Sequence, residues 1–147
     1  MEGIGVLLLP PGVQHPARVD RLAAQYDTYT VLPGLNVNGR LTLGENIGDL
    51  GGLSVANDAY HRSLHGKPAP VLAGLTGDQR FFLSWAQVWR EKQRDENLRS
   101  QVTSDPHSPG QFRIDGVVRN IDRWYTAFDV HPGEKLYLPP DERVRIW

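Results

Sequence analysis

The stretch Gly44-Glu45-Asn46-Ile47-Gly48-Asp49-Leu50-Gly51-Gly52 decides how this chain is read. Glu45 and Asp49 stand four residues apart, so in a helix they share one face. Glycine costs about 1 kcal/mol relative to alanine inside a helix, so Gly48, Gly51 and Gly52 need a cause. Close approach of another backbone is the expected one. The helix bearing this stretch is predicted from about Thr42 to Leu64, with Gly66 and Pro68 as its stop. A glutamate near a helix N-terminus also answers to the macrodipole. Asp49, deeper in the helix, is not explained as a cap, and a carboxylate on a glycine-lined face is either solvated or paired.

Outward from that helix the chain is mainly α with short extended segments. From Pro16, Val19, Leu22, Ala23 and Tyr26 recur at three- and four-residue spacing, an amphipathic helix. Residues 28–35 are β-branched and aromatic, end in Pro33-Gly34, and predict a short extended connection; Asn36-Val37-Asn38-Gly39 is turn chemistry. Thr76 and Gln79 form a capping box before Phe81, Phe82, Trp85, Val88 and Trp89, an aromatic face expected in the core. A short helix is predicted over 95–104. After Pro109-Gly110, Phe112-Arg113-Ile114 is expected to be extended, and a helix is predicted from Val117 to Phe128. Val144, Ile146 and Trp147 are too apolar to leave in water and are expected to pack.

Composition narrows the class. A compact chain of 147 residues is one domain by length and buries roughly 70% of its unfolded surface. The net charge is −1, with no basic stripe, which sets nucleic acid aside. There is no cysteine, so no disulfide framework and no thiolate metal site. Val6-Leu7-Leu8-Leu9 is cut off by Pro10-Pro11-Gly12, far short of the ~20 residues of a membrane span. Glu2 is the only charge before it, which is not a signal-peptide n-region. Residues 1–16 are expected to be an extended or disordered leader, and 17–147 the folded unit.

Thr42-Leu43-Gly44-Glu45-Asn46-Ile47-Gly48-Asp49-Leu50-Gly51-Gly52-Leu53 resembles the glutamate motif of the neprilysin-type zinc metallopeptidases, family M13. Asp105-Pro106-His107-Ser108-Pro109-Gly110-Gln111-Phe112-Arg113 and the closing Arg143-Val144-Arg145-Ile146-Trp147 resemble later blocks of that family, in the same order. The match runs from about Ala17 to the end. In the family a His-Glu-x-x-His helix supplies two zinc ligands and the general base, and the glutamate of a Glu-x-x-x-Asp motif is the third ligand. The resemblance implies that Glu45 is that ligand and that Asp49 accepts the ring N–H of a ligand histidine. It implies that His107 donates to the oxyanion, that Arg113 holds substrate carbonyl groups, and that Asp105 orients His107. It also implies the fold, the helical C-terminal portion of a zincin-like catalytic domain. Val130 and Val144 stand where relatives would carry paired cysteines, which fits a bacterial form. Relatives are often exported or membrane-anchored; neither signal is present here, so the compartment stays open.

No His-Glu-x-x-His occurs in the 147 residues, and His15 is the only histidine before Glu45. The expectation is therefore a segment of a zinc metalloendopeptidase that supplies one ligand and the substrate-side residues, inactive alone and weak in zinc binding. Two alternatives stand beside it. One is a non-catalytic peptide-binding module that uses the glycine-lined groove. The other is a half-enzyme completed in trans or by self-association. The pair His61 and His65 has zincin-like spacing, but Arg62 replaces the base, and His61 would lie about 24 Å along the helix from Glu45. No shared ion is expected.

Overall fold

The structure is a computed structural model and describes residues 16–146. Apart from Pro16, the expected leader lies outside the described residues, as does Trp147.

Helix α1 (Pro16–Asp27) buries Val19, Leu22, Ala23 and Tyr26, the predicted stripe. The chain returns through an antiparallel hairpin of β1 (Thr30–Leu32) and β2 (Leu35–Asn36), with Leu32 opposite Leu35. Gly34 at its tip has φ +72°, a region open to glycine. The return is pinned where Gly39 N–H donates to Asp27 Oδ1 at 2.7 Å. A Cβ on Gly39 would overlap the Ala23 carbonyl, which is backbone and cannot swing aside. Gly39→Ala is expected to cost about 1–3 kcal/mol by overpacking. Urea unfolding would read this as a lower midpoint at unchanged slope, and a midpoint equal to wild type would mean that the turn moves freely.

Helix α2 (Leu43–Ser63) matches the predicted span and buries Leu43, Ile47, Leu50 and Leu53 against the core. The backbone approach expected at its glycines is not supplied by any described residue at Gly48 or Gly52. A Cβ on Gly44, Gly48 or Gly52 would meet nothing within 4 Å, so among the described residues no backbone approaches that face. The four-residue repeat lays a strip without side chains along α2, beside Glu45 and Asp49.

Helix α3 (Gly77–Val88) opens with the predicted capping box, both of its hydrogen bonds present, and α4 (Asp95–Ser104) follows as expected. The aromatic face of α3 is wider than its contact surface. Phe82 is buried, Phe81 and Trp85 are partly buried against the core, and Val88 is exposed.

The stretch after Pro109 departs from the expected extended strand. Gly110–Val118 is a helix, α5, with Pro109 at its N-cap at φ −55°. Pro109 stands just ahead of the helix with ψ 146°, and Gly110 is its first helical residue, so Pro109-Gly110 leads into a helix rather than turning the chain. Phe112, Arg113, Gly116 and Val117 are buried at helical spacing. The helix expected over 117–128 is broken: α5 ends at Val118 and α6 (Asp122–Phe128) begins after Ile121, whose backbone is extended. Asn120 makes the break. Its Nδ2 donates to Gly116 O and Gln25 Oε1, and its Oδ1 accepts Val144 N–H at 2.7 Å. An asparagine that bonds its own backbone in this way competes with the helix ladder.

The core joins α1, α2, α3 and α5 through Leu22, Tyr26, Leu43, Ile47, Phe82 and Val117, closed by Val144 and Ile146 as expected. No helix among the described residues is long and apolar enough to cross a membrane.

Candidate functional site

Glu45 lies in the first turn of α2, where the exposed N–H groups favour a carboxylate, and Asp49 sits one turn on. One hydrogen bond ties this helix to the stretch that carries His107, and a second braces that stretch from α4. Asn46, fully buried, receives Ser108 Oγ on its Oδ1 at 2.9 Å and donates from Nδ2 to Thr42 Oγ1 at 2.9 Å. Gln101 of α4 donates to the His107 carbonyl at 3.2 Å. The Asn46–Ser108 tie is not visible in the spacing of the motifs, because the two residues are separated by 62 positions.

His107 is fixed at one ring nitrogen by Asp105. Asp105 Oδ1 accepts the His107 backbone N–H at 2.8 Å and faces Nδ1 at 2.7 Å. The backbone bond, then the ring bond, hold the Asp105 carboxyl below the usual carboxylate range. The other nitrogen, Nε2, points at Glu45 Oε2, 3.2 Å away. A ring with Nδ1–H satisfies Asp105 alone, whereas an imidazolium donates to both carboxylates.

Arg113, on the first turn of α5, approaches from the other side. Its Nε donates to Asp49 Oδ2 at 2.6 Å and its Nη2 to Asp49 Oδ1 at 2.7 Å, a two-pronged pair, while Nη2 reaches Glu45 Oε2 at 3.5 Å. The partner of Asp49 within this chain is therefore an arginine. Burial alone would lower the Arg113 pKa, but the Asp49 hydrogen bonds and charge, with Glu45, hold it above its ordinary value. The guanidinium lies over the Trp89 ring, 3.8 Å from its centroid. Trp89, expected only as core, thus belongs to this site.

Exposure divides these groups into two sets. The Arg113 and Asp49 side chains are 10% and 9% exposed, whereas Glu45 and His107 are 42% and 45% exposed. A buried ion pair supports two polar groups that face outward. The donor set for a metal is partial. Glu45 Oε1 has no partner among the described residues, and no three metal-ligating side chains gather there. One accessible carboxylate fits one position of a zinc site that needs three or four ligands. His61 is engaged elsewhere, 2.8 Å from Asp78, and His65 lies past the end of α2 at φ +49°, so they do not form a pair on one helical face.

Helix α2, the loop before α5 and α5 itself thus bring a carboxylate, an imidazole and a guanidinium together at one edge of a helical unit. Comparison with known proteins shows the family of that unit. The profile described as Peptidase family M13 matches residues 14–144. Neprilysin-3 of Drosophila melanogaster is 39% identical over 86% of this chain, and endothelin-converting enzyme 1 of Bos taurus is 40% identical over 86%. The zinc metalloprotease Zmp1 of Mycobacterium tuberculosis, solved with an inhibitor, superposes with a TM-score of 0.86 at 53% identity over 89% of the chain. This chain belongs to peptidase family M13. It spans 16% and 17% of the length of those two curated relatives and 21% of the Zmp1 chain.

Proposed function

We propose that this chain is the C-terminal part of a zinc metalloendopeptidase and contributes one zinc ligand, Glu45, together with the groups that hold the substrate. One observation carries this reading. Glu45, His107 and Arg113 come from α2, the loop before α5, and α5, and they converge so that Glu45 Oε2 lies within 3.5 Å of both basic groups. In the complete enzyme zinc supplies Lewis-acid polarisation of the scissile carbonyl and an activated water. His107, held at Nδ1 by Asp105, donates from Nε2 to the carbonyl oxygen as it gains charge. Arg113 presents its donors to substrate carbonyl groups, and Asp49 keeps that guanidinium in place while accepting the ring N–H of a ligand histidine.

The remaining ligands and the general base come from polypeptide outside these 147 residues. Residues 17–147 are the peptidase unit of this reading and 1–16 a leader. The bare strip of Gly44, Gly48 and Gly52 supports completion by further chain, whether covalent or in trans, because it leaves room for a helix to approach α2 closely. The 147 residues alone are inactive and hold zinc weakly.

Isothermal titration with zinc tests this, using wild type, Glu45→Ala and a His61→Ala, His65→Ala double variant. The expected result is weak binding that survives Glu45→Ala. Adding a polypeptide that bears His-Glu-x-x-His should give peptidase activity and tight zinc binding, both abolished by Glu45→Ala. Tight one-to-one binding by the isolated chain, accompanied by peptidase activity, would overturn the reading.

A further inference from the structure

Arg113 has five N–H donors in one plane. Asp49 takes Nε and Nη2, and Glu45 lies near Nη2. Among the described residues Nη1 has no partner. A two-pronged pair sets the edge of the guanidinium but leaves its plane free to hinge about the line joining it to the carboxylate. The Trp89 ring, whose centroid lies 3.8 Å from the guanidinium carbon, blocks that hinge on one side.

Trp89 is itself held firmly. Its carbonyl packs against Gly110, where a Cβ would come within 2.5 Å of it, and Trp85 stands edge-on at 5.6 Å between ring centroids. Trp85 Nε1 also donates to the Arg113 carbonyl at 3.2 Å, so the two indoles grip the arginine at both ends. The Trp89 N–H is buried without a partner among the described residues. An unpaired buried donor is unfavourable, and leucine or phenylalanine would fill the space without one. What indole alone adds is the strongest face for a cation.

We infer that Trp89 is a positioning residue that acts through Arg113, fixing the guanidinium plane so that Nη1 alone is presented outward. The inference rests on the proposed function only in giving Nη1 a substrate carbonyl to meet; the positioning is tested without it. The probe is the Arg113 Nε–H resonance in nitrogen-15 NMR of the full chain, assigned by its loss in Arg113→Lys. In wild type it should lie upfield of the other arginine Nε–H signals and exchange slowly with water. Trp89→Leu should remove the upfield shift and speed exchange about thirtyfold, the factor expected for losing a desolvated cation–π contact of about 2 kcal/mol. Trp89→Phe should restore slow exchange.

The inference is overturned if Trp89→Leu leaves shift and exchange at wild-type values. It is equally overturned if Trp89→Phe exchanges as fast as Trp89→Leu, which would reduce Trp89 to packing. Should Trp89→Leu not fold, Trp89→Phe decides alone: slow exchange supports the inference, and exchange as fast as at exposed arginines overturns it. Failure of zinc-site completion with the Arg113 signal intact would count against the proposed function and not against the positioning.

Discussion

Arg113→Leu should destabilise the chain by about 3–5 kcal/mol, the cost of leaving a buried carboxylate without its counter-ion. Asp49 has both oxygens committed to Arg113 and little access to water. Asp49→Leu strands the guanidinium in the same way, although Glu45 and the Trp89 face still offer it partial compensation. The double variant Asp49→Leu, Arg113→Leu should therefore lose far less than the sum of the two, because an apolar pair in place of a buried ion pair is often close to neutral. Urea unfolding of the four proteins gives the coupling directly. Additive losses, or single-variant losses under about 0.5 kcal/mol, would mean that water reaches the pair and that it holds nothing together.

Tyr26 gives the second large effect. It is fully buried, lies edge-on to Tyr29 with centroids 5.2 Å apart, and donates to the Phe112 carbonyl at 3.2 Å. Tyr26→Ala should cost about 3–5 kcal/mol as a core cavity, and Tyr26→Phe about 1 kcal/mol for the lost hydrogen bond. The two variants separate further with pH. Burial first, then Tyr29 and Asp49, raise the Tyr26 pKa well above 10.0, while Arg113 opposes them. A pKa raised by folding contributes stability that is complete below the unfolded value and lost as pH rises above it. Wild type should therefore lose stability steeply beyond about pH 10. Tyr26→Phe should lose it more gradually, leaving Tyr29, also raised by burial, as the main titrating phenol of this cluster. Circular dichroism melts between about pH 8 and 11 would show the difference, and equal alkaline slopes would assign the loss to other groups.

Much of the fold was legible because periodicity and end signals coincide. Val19 to Tyr26, the Thr76 capping box, and the Gly66 and Pro68 stop each carry a local signal that tertiary contacts did not override. The stretch 109–121 was misread because Pro-Gly and the β-branched Ile114 are compatible with either a turn and strand or a helix start. Distant partners decide between them, among them Tyr26 and Tyr29, about ninety positions away, which pack on Gly116 and Phe112. Of the site, Glu45, His107 and Arg113 were found from motifs, and the structure brings them together. Asn46 with Ser108, and Trp89 beneath Arg113, escaped because each works through one distant partner and leaves no period in the chain.

The amide of Asn120 has a consequence for how the molecule is made. Its two ends hold Gln25 and Val144, while Arg18 and Arg21 donate to the carbonyls of Arg145 and Asp141. During synthesis the segment 141–146 leaves the ribosome after every element that it ties down. At about 5–20 residues per second, α1 waits several seconds for the segment that ties it down. Through that interval Arg18, Arg21 and the Asn120 side-chain oxygen lack the backbone groups that they hold in the folded chain. Loss of the segment 141–146 would leave a chain able to form helices but unable to close.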